Sequence, residues 1–356
     1  MLGWAQRDRA LSTQRIRGLL LGLALGESYE QEPAPVLQAG TGAQLACFTV
    51  EGMIRASRRL ALHDLCHPPT VIWHALCRWS FERGFNCEVI EEGWRTGDIA
   101  SGFEWPGWLM KIPQVTRDVG TSPTTVDALA DGEMGTPDRP RNSSDSYQAL
   151  LRVIPLAYWS PSMPVEEFDG LLTEVLALTH GAGSMSEPAT EVIHVLGGLL
   201  RNPVQPDVFD LRQAMSWIAP DPHHTLGDLI RLVQDTPPGR PDVLQEFARD
   251  ATVRSVVLGG LYAAASHPSP GQAMESLSFC RFEASQSKAV AAVTGALIGA
   301  TFGPTVFDQS ALARLELNWV VDSLAYDIVS ERFDLPSKHA PASGPDPIWS
   351  SRYPPN

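Results

Sequence analysis

Ser285-Gln286-Ser287-Lys288-Ala289 leads directly into Val290-Ala291-Ala292-Val293-Thr294-Gly295-Ala296-Leu297-Ile298-Gly299-Ala300, and the run closes at Gly303. Small and apolar residues without a proline predict a helix over Lys288–Phe302. Lys288 opens that helix against the macrodipole, whose N-terminal end favours anions. The misfit points to a specific partner for the ammonium. The plainer alternative is a lysine that snorkels to water at a helix start. A second run, Arg17-Gly18-Leu19-Leu20-Leu21-Gly22-Leu23-Ala24-Leu25-Gly26-Glu27, is punctuated by glycines that let helices approach closely.

Helical signals continue along most of the chain. Gln14–Glu27, Gln44–Leu60 and Pro69–Arg83 run long with few breakers, followed by Gln148–Trp159, Val165–His180, Glu187–Leu200 and Leu226–Gln234. Val253–Ser266, Gly271–Phe279, Lys288–Phe302 and Ser310–Ser330 complete the set. Pro, Gly, Asp and Asn mark the connections, and no alternation is long enough for a sheet. The expected fold class is therefore all-α, as one domain over residues 1–335. Within it, residues 93–145 are rich in Gly, Pro, Thr, Asp and Trp and read as an irregular excursion over one face. Trp94, Trp105 and Trp108 in this stretch are expected to anchor it to the core. The Pro- and Ser-rich tail, residues 336–356, is expected to lack stable order.

Bulk properties exclude several functions. The net charge of -14 over 356 residues argues against nucleic acid or an anionic membrane as main partner, while leaving room for a small anionic ligand in a local positive pocket. Leu19–Leu25 is too short to cross a bilayer and is not followed by a small-residue cleavage site, so it reads as a buried helix. Five widely spaced cysteines without a Cys-x-x-Cys pair read as free thiols, and a cytoplasmic location is expected.

Five blocks in order carry a resemblance. They are Arg17–Glu27, Thr41-Gly42-Ala43-Gln44-Leu45-Ala46, Leu151-Arg152-Val153-Ile154-Pro155-Leu156, Leu178-Thr179-His180-Gly181, and Ser285 to Gly303. Together they resemble the ADP-ribosylglycohydrolase family, dinitrogenase reductase-activating glycohydrolases included, over most of the chain. The resemblance implies an orthogonal helical bundle with its site where these blocks converge. It also implies two magnesium ions, held by a Thr and two Asp of the second block and two Asp and a Thr of the last.

This sequence departs from that pattern. Thr41 is kept, but Gly42 and Ala43 replace the first two Asp, and Gln286, Lys288 and Ala289 replace the later Asp, Asp and Thr. Hard divalent cations need several, mostly anionic, oxygen ligands, and two neutral oxygens fall short. No metal and no cofactor is expected. Ser146-Tyr147-Gln148 also stands where the family has a Gly-rich turn against ribose and phosphates, so the pocket is expected to be filled, narrowed or reshaped.

The leading expectation is thus a non-catalytic relative that binds an ADP-ribose-like ligand or a protein partner. Thr41, Gln44, Tyr147, Arg152, Gln286 and Lys288 are its candidate ligand-binding residues. The alternative is a metal-independent hydrolase of an N- or O-glycosidic bond to ribose, working through two carboxylates drawn from Glu27, Glu30 and Asp145. Buried at a helix end, Glu27 would have a raised pKa suited to an acid; capping or pairing is the more ordinary role. His63, Cys66, His67, His74 and Cys77 have zinc-like ligand types within fifteen residues, although core packing explains them better. His180 is expected to bind backbone at a helix end as a cation. No Gly-x-Ser-x-Gly elbow points to a serine nucleophile.

Overall fold

The computed structural model describes residues 4–30, 34–84, 107–120, 123–130, 132–181, 183–201, 211–212, 215, 227–335 and 347–354. The helices are α1 (Trp4–Ser28), α2 (Thr41–His63), α3 (Pro68–Glu82), α4 (Pro113–Thr116) and α5 (Pro123–Ala130). Then follow α6 (Gln148–Val153), α7 (Val165–Ala177), α8 (Ser186–Arg201), α9 (Asp228–Asp235), α10 (Pro241–Phe247) and α11 (Val253–Ser266). The last are α12 (Ala273–Glu283), α13 (Ser287–Phe302), α14 (Gln309–Arg314), α15 (Asn318–Phe333) and α16 (Pro347–Arg352). Among the described residues, β pairing is limited to the isolated bridges Leu37–Leu315 and Ser146–Thr252, so the fold is all-α. No helix among them is long and apolar enough to cross a membrane.

Helix α13 is the axis of the bundle. Every residue from Ala289 to Thr301 is buried, as befits a helix that is apolar on all sides. Helix α1 lies antiparallel against it, backbone on backbone. A Cβ built on Gly18, Gly22 or Gly26 would stand 2.0 Å from the carbonyl oxygen of Gly299, Gly295 or Ala291. Only glycine on the α1 side allows that approach.

Three elements differ from the sequence expectation. Gln148–Trp159 tightens at Ile154 into a 3₁₀ turn, Ile154–Tyr158, where Pro155 removes an amide from the helical ladder. Ser310–Ser330 splits into α14 and α15, because Leu315 and Glu316 leave the helix to pair with Leu37. The tail is corrected in part: Pro347–Arg352 forms α16, and Tyr353 is fully buried. Arg58 donates to the carbonyls of Trp349 and Tyr353, and the Tyr353 hydroxyl donates to Asp327 at 2.5 Å. Aromatic burial and a buried arginine thus fix a segment whose composition suggested none. Of the excursion, Trp108 lies under the Arg352 guanidinium at 4.1 Å and 6.0 Å from Trp319, an anchoring role. Trp94 and Trp105 lie outside the described residues.

Beyond the end of α7, Arg152 Nε and Nη2 both donate to Thr179 Oγ1, at 3.2 and 2.8 Å, and Nη2 also reaches the Leu176 carbonyl at 3.1 Å. With both lone pairs engaged, Thr179 directs its one proton to His180 Nδ1, 2.9 Å away. His180 is therefore neutral, not the expected cation. Burial and then the Arg152 charge hold its pKa down at about 3, against an ordinary 6.5. The sign for stability follows: as pH falls below 6.5 the unfolded chain takes up a proton that the folded chain refuses, so stability is lost towards acid. Between pH 7 and pH 5 this one group should cost about 2 kcal/mol. Urea unfolding of the wild type and His180→Asn should diverge in pH slope by that amount, and parallel slopes would contradict the assignment.

Candidate functional site

Helix α2 starts at Thr41 behind Gly40, which has no side chain to cap it, so its first-turn amides need acceptors from elsewhere. Glu27, near the end of α1, supplies them. Its Oε1 accepts from the Gly42 amide at 2.9 Å and its Oε2 from the Ala43 amide at 2.7 Å. A Cβ on Gly40 would lie 2.3 Å from the Glu27 carboxyl carbon, so glycine there is what admits the carboxylate. Glu27 is 8% exposed. Burial raises its pKa; the amides of Ala43 and Gly42, then the Lys288 ammonium, pull in the opposite direction.

Lys288 sits exposed in the first turn of α13, within the field of Glu27. Tyr147 is half-buried, and its phenol is raised by burial first and by Glu27 second. Thr41, 8% exposed, donates to the Gly120 carbonyl at 2.9 Å, and Gln286 stands half-buried at the start of α13. The structure thus gathers Glu27, Tyr147 and Lys288, with Thr41 and Gln286 at the adjoining helix starts.

The other candidates are engaged elsewhere. Gln44 is 0% exposed: its amide donates to the carbonyls of Gln114 (3.2 Å) and Arg117 (2.9 Å), and its oxygen accepts from Trp79 Nε1 at 3.1 Å. It pins the Gln114–Arg117 part of the excursion over α2. Arg152 is buried in the Thr179 cluster. Asp145 accepts from the Ser184 hydroxyl at 3.3 Å, and Glu30 is exposed.

Sequence reasoning missed Gly40 and the brace around it. Glu316 accepts from the Ala39 amide at 2.9 Å and from Arg117 at 2.7 and 2.8 Å, holding the turn before α2. Glycine on both sides of Thr41 was the available signal.

The residues present do not fit a magnesium pair. A Cβ on Gly42 would lie 2.6 Å from Leu151 Cδ1 and 2.8 Å from Glu27 Oε1, so a side chain there would require Leu151 and Glu27 to shift. Ala43 faces a small apolar cavity with Leu20, Leu23, Cys47 and Val321, away from the polar cluster. Lys288 and the buried Ala289 offer no oxygen. Nor do the zinc candidates converge: among the described residues, no three His, Cys, Asp or Glu side chains form a group that could hold a metal. His67 instead contacts Thr70 at 2.8 Å and Glu174 at 2.9 Å, and Cys77 is in the core. Burial first, then Arg78 and other arginines, lowers His74 to about 4.

Comparison with known proteins gives these features a lineage. The sequence model of the ADP-ribosylglycohydrolase family matches residues 8–337, and the chain belongs to that family. A solved structure titled "ADP-ribosylglycohydrolase-related protein complex" superposes with a TM-score of 0.57 at 18% identity, covering 91% of this chain and 98% of that one. At that identity the likeness speaks for the fold alone. No curated protein sequence matches the chain.

Proposed function

We propose that this chain is a non-catalytic member of its family that binds an ADP-ribose-like ligand, or a protein partner, without a metal pair. The observation that carries the reading is the seat of the Glu27 carboxylate on the amides of Gly42 and Ala43. These are the positions that correspond to the family's first two aspartates, and here their main chain holds the carboxyl group of Glu27 instead of their side chains holding cations. Across from it, the first turn of α13 carries Lys288, and Arg281 donates to Ser287 in the same turn at 3.0 Å. Two cations at a helix N-terminus suit a phosphate-bearing ligand.

The metal-independent hydrolase is the weaker reading. A general acid must present a proton to the leaving group; burial raises Glu27, but both of its oxygens are turned onto the main-chain amides of Gly42 and Ala43. Of the two other candidate carboxylates, Asp145 accepts from the Ser184 hydroxyl and Glu30 is exposed.

An ADP-ribosylated peptide incubated with the purified chain should release no ADP-ribose above background, with or without millimolar magnesium. Release that disappears in Glu27→Gln would overturn the reading in favour of hydrolysis.

A further inference from the structure

Far along the chain from the α1–α2–α13 cluster, three side chains form a hydrogen-bonded line. Asp169 Oδ1 lies 2.7 Å from His194 Nε2, and His194 Nδ1 lies 3.2 Å from Ser160 Oγ. An ionised carboxylate only accepts, so Nε2 carries the proton; in the neutral imidazole Nδ1 is then the acceptor, and Ser160 donates to it. The order nucleophile, base, orienting carboxylate is that of an activated serine, recognised by geometry and not by chain position.

Each member is held by a defined element. Asp169 is on α7, and His194 is in the middle of α8, where the Phe168 ring packs edge-on against its imidazole at 5.4 Å. Ser160 opens the 3₁₀ turn Ser160–Ser162, fixed by the Trp159 amide on the Leu156 carbonyl and the Ser162 amide on the Trp159 carbonyl, both 2.8 Å. Gly197, three residues beyond His194, makes the meeting possible. A Cβ there would lie 3.0 Å from both Ser160 Cβ and Oγ, tight enough that the turn would have to give by a few tenths of an ångström. The line opens to solvent: the side chains of His194 and Asp169 are 21% and 31% exposed, and Ser160 is half-buried.

We propose that Ser160, His194 and Asp169 form a second, serine-nucleophile site that cleaves activated carboxylic esters, independent of the Glu27–Lys288 cluster. Ser160 Oγ attacks the acyl carbon while its proton passes to His194 Nδ1. The ester C–O bond breaks, and the leaving alkoxide takes that proton. Water then attacks the acyl-serine and gives a proton to His194. The acyl–Oγ bond breaks, Ser160 recovers the proton, and a carboxylic acid departs. Asp169 is a positioning residue that fixes the tautomer. Pro161 follows Ser160 and has no amide to offer the oxyanion, so turnover is expected to be slow and restricted to esters with good leaving groups.

The test is labelling of the full-length chain with a fluorophosphonate, which forms an Oγ–P bond and expels fluoride. Peptide mapping should find one adduct per chain, on Ser160, and p-nitrophenyl acetate should release one equivalent of phenolate in a burst. His194→Gln should slow labelling roughly 100-fold, the scale of a lost general base. Asp169→Asn should lower the pH of half-maximal labelling without changing the melting temperature, a signature that a purely structural carboxylate would not give. An unlabelled Ser160 in the wild type, or equal labelling of His194→Gln, would overturn the proposal. Mapping on the wild type decides the matter even where a variant fails to fold.

Discussion

Gly22→Ala should destabilise the fold by about 3 kcal/mol or more, the upper range for overpacking, because neither contacting surface can yield. The added Cβ would stand 2.0 Å from the Gly295 carbonyl oxygen, 2.6 Å from its carbon and 2.9 Å from Phe307 Cζ. The first two are backbone atoms inside a buried helix, so relief requires α1 and α13 to part along the whole seam. The seam runs on to Gly26 and Ala291, next to Glu27 and one turn from Lys288, so the candidate site should open with it. Gly170→Ala is the matched control: it lies on α7 with nothing within 4 Å of its Cβ, and should gain up to about 0.5–1 kcal/mol from helix propensity. Urea unfolding of the two variants side by side gives the answer. A Gly22→Ala cost within 1 kcal/mol of the control would mean the helices are not in backbone contact.

Glu51→Ala should cost about 3–5 kcal/mol, the range for removing one partner of a buried ion pair. Glu51 sits between two guanidiniums, with Oε1 2.9 Å from Arg55 Nη2 and Oε2 2.9 Å from Arg78 Nη2, and all three side chains are fully buried. Burial first, and the neighbouring Arg78 next, hold Arg55 down to about 9, with Glu51 opposing. Removing the carboxylate leaves two like charges in a dry interior. The triple variant Glu51→Leu, Arg55→Met, Arg78→Met should recover part of the loss, since it removes the carboxylate and both guanidiniums together. Denaturant midpoints of the single and triple variants check this. A single-variant loss below 1 kcal/mol would show that water reaches the cluster.

The parts legible in sequence were those with one physical use. Gly18, Gly22 and Gly26 facing a second small-residue run serve close helix contact, and the all-α class follows from helical signals along most of the chain with no alternation long enough for a sheet. The family resemblance rested on blocks whose order survives although their carboxylates do not. What escaped was non-local. Glu27 caps a helix that begins beyond it in the chain, and nothing local to either segment announces the pairing. Leu315 and Glu316 break a continuous helical pattern only because Leu37, Ala39 and Arg117 come to meet them. Tyr353 gains its place from Arg58 and Asp327, which tail composition cannot foretell. Ser160, Asp169 and His194 share no motif, and only the packing of α7 and of the Ser160–Ser162 turn on α8 assembles them.

The most direct measurement is isothermal titration of the purified chain with ADP-ribose, with and without magnesium. The account predicts binding that magnesium leaves unchanged and that Lys288→Ala weakens. Binding that appears only with magnesium would contradict it, and would return this chain to the metal chemistry of its family.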